Sequence, residues 1–93
     1  MLVENIFKGY SLEYSALAKK MLKSLDKKYA KAIHKKLKQL VAGAPNLNII
    51  KLENYPGYRL RCGDYRAIFE AQHNKIIVYV AKIDHRKDVY RNL

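Results

Sequence analysis

Two alternating runs, Tyr58–Cys62 and Tyr65–Ala71, are separated only by Gly63-Asp64, and this spacing constrains the chain more than any other feature. A two-residue loop with glycine first fits a tight β-hairpin closed by a II′ turn, because glycine takes the required positive φ at little cost. With that loop, Cys62 falls opposite Tyr65, Arg61 opposite Arg66 and Leu60 opposite Ala67. Side chains alternate faces along a strand, so Arg59, Arg61, Arg66 and Ile68 share one face. Tyr58, Leu60, Cys62, Tyr65, Ala67 and Phe69 share the other, which reads as the core face. Three guanidinium groups therefore converge on one side of a sheet.

Like charges placed opposite each other across a ladder are destabilising. Two readings account for them. In one, the face is solvated and its arginines pair with Glu70 and nearby acids. In the other it is an anion site, with forked donors prepared for phosphate. The overall charge bears on the choice. Nineteen lysines and arginines against eight acids give a net charge of +11, which speaks about partners rather than fold. Nucleic acid is the first candidate partner, an anionic membrane surface the second and an acidic protein the third.

Around the hairpin the pattern is that of one α+β domain over residues 1–93. Residues 1–9 are mixed and have no clear place. Tyr10–Tyr14 alternates as a strand, and Ser15 is placed to cap a helix over Ala16–Leu25. Asp26 is a second cap, followed by a longer helix with the stripe Tyr29, Ile33, Leu37, Leu40 and Val41. Gly43 and then Pro45 stop it. The opposite helix faces carry Lys19, Lys20, Lys23, Lys27, Lys28, Lys31, Lys35, Lys36 and Lys38, most simply read as a solvated face. Ala44–Tyr55 is a linker with a short extended segment at Ile49–Leu52, and Pro56-Gly57 turns into the hairpin. Lys75–Ile83, strongly apolar and rich in β-branched residues, reads as a central strand buried on both faces. The order β-α-α-β-β-β predicts two N-terminal helices packed on one face of a mostly antiparallel four-stranded sheet, with the arginine face left open.

Several chemistries are excluded. One cysteine and three scattered histidines give no metal-ligand spacing, so no metal or cofactor is expected. There is no glycine-rich phosphate loop, no nucleophile elbow and no carboxylate pair. The lone Cys62 suits a reducing compartment and reads as a small core residue. The N-terminus lacks the basic start of a signal peptide, and Ile76–Ala81 is too short to span a bilayer. A soluble, cytoplasmic protein is expected. What remains is Arg59, Arg61 and Arg66, with His85, Arg86, Lys87 and Tyr90 beyond the last strand. Each suits metal-independent RNA cleavage: arginines for charge on the phosphorane, His85 for proton transfer, Tyr90 to stack on a base.

From Lys51-Leu-Glu-Asn-Tyr-Pro-Gly-Tyr-Arg-Leu-Arg through Gly63-Asp-Tyr-Arg-Ala-Ile-Phe-Glu to Ile83-Asp-His-Arg-Lys-Asp-Val-Tyr, the sequence resembles the RelE/ParE toxin superfamily, with the RelE branch the nearer match. The resemblance spans Tyr10 to Tyr90. It implies an mRNA interferase that cuts the codon exposed in the ribosomal A site and is blocked by an acidic RelB-like antitoxin. Within it, Arg66 matches the arginine assigned to the scissile phosphate, and Arg86 the C-terminal catalytic arginine. Tyr90 matches the tyrosine that stacks on the substrate base, and His85 falls where some relatives place a catalytic histidine. Lys87 and Lys51 join the RNA-binding set. Arg59 and Arg61 stand where the best-known member has lysines. Arginine is a poor general base, so their role here is to bind and neutralise phosphate. A ParE-type gyrase inhibitor and a non-catalytic RNA-binding module are the alternatives.

Overall fold

The hairpin forms in the register its turn demands. In the computed structural model, which describes residues 1–93, Cys62 pairs with Tyr65, Arg61 with Arg66 and Leu60 with Ala67. Gly63 has φ +62°, while Asp64 has no positive φ, as a II′ turn requires. The elements are β1 (Ser11–Tyr14), α1 (Ala16–Ser24), α2 (Lys27–Val41), β2 (Ile49–Lys51), β3 (Tyr58–Cys62), β4 (Tyr65–Gln72) and β5 (Ile77–His85). They make one sheet in the order β1-β5-β4-β3-β2. All neighbours are antiparallel except β1 and β5, which run parallel. The two helices lie on one face, the α+β arrangement expected. The sheet has a fifth strand because the short extended segment at Ile49–Lys51 pairs with Leu60, Arg59 and Tyr58.

Between helices and sheet sits the core. Ile33, Leu37 and Leu40 of α2 meet Leu60, Phe69 and Val80 of the sheet, all essentially inaccessible. Ser15 caps α1, its Oγ accepting from the Ala18 amide at 3.0 Å. Asp26 precedes α2 without a side-chain cap bond, and Gly43 ends it at φ +81°.

β5 departs from the sequence reading. Its far face is half-buried rather than buried, and its apolar run is two alternating runs spliced out of phase. Phe69 pairs with Val80 but Ile68 pairs with Lys82, which leaves Ala81 as an extra residue. Such a bulge reverses which residues face the core. Val78 and Val80 face the helices before it and Ile83 after it, while Tyr79, Lys82 and Asp84 face the arginine side. Ser15 secures the irregularity: its amide donates to the Val80 carbonyl at 2.9 Å and its Oγ to the Ala81 carbonyl at 2.6 Å.

Residues 1–9, which have no sequence pattern, form a strap. The Val3 amide donates to Ile49 of β2 at 2.8 Å. Asn5 Nδ2 donates to the carbonyls of Leu40 and Ala44 at 3.0 and 2.9 Å; the Leu40 carbonyl also accepts from the Gly43 amide at 3.2 Å, and Ala44 lies just past the end of α2. Phe7 then enters the core, with its ring edge-on to Tyr10, Tyr58 and Phe69 at 5.2–5.6 Å. No helix is long and apolar enough to cross a membrane.

Candidate functional site: an arginine-lined sheet face

Arg66 is the most constrained charge in the molecule. It is 8% exposed, and its Nη1 donates to the carbonyls of Gly63 at 2.7 Å and Tyr65 at 2.9 Å. Burial pushes the guanidinium below its ordinary pKa. Arg61, Arg59 and Arg86 push the same way, with Tyr90 opposing. Those four side chains are therefore electrostatic neighbours of Arg66. Arginine keeps its proton even so, and the site holds concentrated, partly desolvated positive charge. Arg59 gives its Nη2 to Asn48 Oδ1, while its buried Nε has no partner.

None of Arg59, Arg61 and Arg66 forms an ion pair, although Asp84 is the register partner of Arg66; the Asp84 carboxylate accepts from the His85 amide at 2.8 Å. The ion pairs of the molecule are Arg86–Asp64, at 3.9 Å between exposed side chains, and Arg91–Asp88 at 3.4 Å. Glu70 is not paired with an arginine but accepts from the Tyr55 hydroxyl at 2.7 Å. Neither Glu70 nor another acid forms an ion pair with the three hairpin arginines.

The sequence leaves this face open, yet the C-terminal turns cross part of it. Ile68 shares the arginine side and has no exposed surface, as does Val89, and both lie outside the main core. Lys82, the register partner of Ile68, donates from Nζ to the Arg91 carbonyl at 2.6 Å. The Arg86 amide donates to the Asp64 carbonyl at 2.8 Å, fastening the start of the tail to the hairpin turn. Tyr90, 48% exposed, borders a cleft of about 310 Å³ shared with Leu52, Glu53, Asn54, Tyr55 and Leu93. The largest cavity, about 430 Å³, lies elsewhere, between the strap and the α2–β2 loop, with Glu4 its only charged residue. An open charged surface, not that cavity, suits a polyanion.

Two candidates are set apart. His85 pairs with Tyr65 and packs edge-on against its ring at 5.7 Å, on the helix side of the sheet. Its Nδ1 accepts from the Lys87 amide at 3.2 Å, which leaves Nε2 unpartnered. Lys51 pairs with Tyr58, and its Nζ lies 5.0 Å over that ring, also away from the arginines. Lys87 is exposed in the turns after β5. No group of three or more metal-ligating side chains occurs.

A sequence model describing the ParE toxin of type II toxin–antitoxin systems matches residues 12–90. The chain belongs to the RelE/ParE toxin superfamily. Solved RelE structures share this toxin's fold. The RelE–RelB complex of Pyrococcus horikoshii is 24% identical, with a TM-score of 0.67, over 87% of this chain and 99% of that one. The intact RelBE complex of E. coli is 26% identical, with a TM-score of 0.66, over 82% and 95%. The RelB–RelE complex of Methanococcus jannaschii is 22% identical, with a TM-score of 0.66, over 81% and 91%. No curated protein sequence matches the toxin. The strap lies outside the 12–90 match.

Several supporting residues of the toxin escaped sequence reasoning. Asn48 holds Arg59, the Gly63 and Tyr65 carbonyls hold Arg66, and Asp64 anchors the tail. Backbone acceptors and a lone linker asparagine carry no sequence signal. Cys62 sits beneath the face, 8% exposed. Burial pushes its thiol up to about 12, against the pull of Lys36, Arg66 and Arg59. The thiolate fraction at pH 8 is then on the order of one in ten thousand. Cys62 should react with iodoacetamide at least about 100-fold more slowly in the native toxin than in urea. Comparable rates would show the thiol to be accessible.

Proposed function

We propose that this toxin is a ribosome-dependent, metal-independent endoribonuclease that acts in the cytoplasm and cuts mRNA in the A site. The reading rests on one observation: Arg59, Arg61 and Arg66 face one side of the sheet without a carboxylate partner, with Arg86 and Tyr90 beside them. A ribose 2′-oxygen attacks the adjacent phosphorus and the bond to the 5′-oxygen breaks. The products are a cyclic phosphate and a free 5′-hydroxyl.

Charge accumulates on the phosphorane, and preorganised donors aimed at it are worth most where water is excluded. Arg66 takes the scissile phosphate. Its Nη1 is held by two carbonyls, so its other nitrogens keep one direction without further ordering. Arg61 and Arg59 neutralise the phosphate, Arg86 closes the site from the tail, and Tyr90 stacks on a base. Lys87 and Lys51 contact the strand further out. His85 is the proton-transfer candidate through its unpartnered Nε2, reached where RNA rounds the end of β5; otherwise the ribosome supplies the base. An acidic RelB-like antitoxin restrains the toxin, a role supported by the RelB complexes of the structures it resembles and by its own +11 charge.

Purified toxin added to programmed ribosomes should produce cuts within the A-site codon, mapped by primer extension. Wild type is compared with Arg66→Ala and His85→Ala. The ParE name of the matching family supports a second reading, gyrase inhibition without RNA chemistry. Inhibited supercoiling with intact mRNA would replace the first reading by the second. Tight RNA binding without cleavage would make the toxin a binding module.

A further inference from the structure

Tyr29 and Tyr90 are the only aromatic residues with large exposed areas, at 43% and 48%. Tyr90 stands by the arginine face. Tyr29 lies on the other side of the hairpin tip and is not used by the proposed chemistry. Its position in the apolar stripe of α2 predicts burial, but its ring projects beyond the core toward Tyr65, with centroids 5.7 Å apart and planes at 47°. The two rings open a slot of about 270 Å³ between α2 and the hairpin turn. Cys62, Gly63 and Asp64 form its sheet side, and Lys36 is at its edge. Lys28 Nζ lies 5.0 Å over the Tyr29 ring. Neither lysine has an acidic partner, and neither tyrosine hydroxyl is hydrogen-bonded within the chain.

We propose that this slot holds an unpaired nucleotide of the same RNA strand that crosses the arginine face. Its base would lie against Tyr29 and Tyr65, and its phosphate would meet Lys36 and Lys28. The choice of RNA rests on the nuclease reading above; the slot, its rings and its charge do not. Aromatic walls with free lysines are the chemistry that single strands select, since every base has a π-face and every linkage an anion. A protein partner would have to bury both lysines beside aromatic surface, where only an acidic segment could compensate them.

Continuity with the face supports one strand for both places. The Gly63 carbonyl that accepts from Arg66 belongs to the same turn that lines the slot. The hairpin tip is thus a thin partition with cations on both sides. His85 packs on Tyr65 at the helix-side end of that partition, and a strand rounding the tip would pass its free Nε2.

The test uses the full-length toxin and a 2′-O-methyl RNA hexamer, which lacks the attacking hydroxyl, with binding read by fluorescence anisotropy. Stacking of a base on a side chain is lost on truncation to alanine, so Tyr29→Ala should weaken binding about fivefold or more, while Tyr29→Phe stays within about twofold. Lys36→Glu should weaken binding and flatten its salt dependence. Hexamers with one base removed, scanned along the strand, should reveal a position where the loss matches that of Tyr29→Ala. At that position Tyr29→Ala should cost nothing further. Tyr90 also stacks on a base, so the scan is repeated in Tyr90→Ala: a sensitive position that persists there belongs to the slot, even if Tyr29→Ala folds poorly, and its disappearance there would overturn the slot. Wild-type affinity in Tyr29→Ala or equal losses at every abasic position would each overturn the slot. Continued A-site cutting by Arg66→Ala would instead overturn the assignment of the arginine face.

Discussion

Replacing Arg66 by methionine should raise the melting temperature and abolish cleavage in the same protein. Arg66, 8% exposed as a residue, repelled by Arg61, Arg59 and Arg86 and held in no ion pair, carries a charge that opposes folding. Replacing buried ionic groups by well-packed apolar side chains of similar size is often neutral or stabilising by about 1–4 kcal/mol. Against this, the Gly63 and Tyr65 carbonyls each lose a donor, at about 1 kcal/mol apiece. A net gain of about 1 kcal/mol corresponds to roughly 4–8 °C in a domain of this size. Cleavage on programmed ribosomes should fall by at least about 100-fold, the loss typical when one preorganised donor is removed. Inorganic phosphate should raise the melting temperature of the wild type but not that of the variant, since a ligand bound only by the folded state stabilises it. A variant that is both less stable and still active would remove Arg66 from the centre of the site.

The second large effect is expected far from the arginines. Phe7→Ala should destabilise the toxin by about 3–5 kcal/mol, the usual cost of emptying a buried aromatic position. Phe7 has no exposed surface, and its ring meets Tyr10, Tyr58 and Phe69 edge-on. Domains commonly hold only about 5–15 kcal/mol in total, so this one side chain carries a large share. Asn5→Ala should add about 1 kcal/mol, by leaving the Ala44 carbonyl without its side-chain donor and the Leu40 carbonyl with the Gly43 amide alone. Denaturant melts measure both. A change below about 0.5 kcal/mol for Phe7→Ala would make residues 1–9 a mere appendage.

What could be read from the sequence depended on whether a local rule governed it. The register of β3 and β4 was legible because one glycine at a fixed loop position determines every pair behind it. The helices followed from their stripes and from Ser15. β2 is three residues long, too short for a period to declare itself. The strap has no period at all; Phe7 is fixed by three rings, of which Tyr58 and Phe69 are distant in sequence. β5 misled for a specific reason. An apolar run through Ala81 hides a bulge, since a small residue fits either face, and the bulge turns His85 from the arginine side to the side of Tyr65. The arginine triad was legible from alternation. Its isolation from acids was not, because that depends on Glu70 being taken by Tyr55.

β1 has a single strand neighbour, and that neighbour is the last strand of the chain. A nascent polypeptide releases its N-terminal residues first, and strand pairings of high sequence separation form late and slowly. Until residues 77–85 emerge, Ser11–Tyr14 has nothing to pair with, Ser15 has no β5 carbonyl to bind, and the C-terminal turns do not exist. The arginine face can therefore be completed only after nearly the whole chain has been made. On the proposed A-site reading, the toxin would then gain its complete site only late in its own synthesis, through the order of its strands.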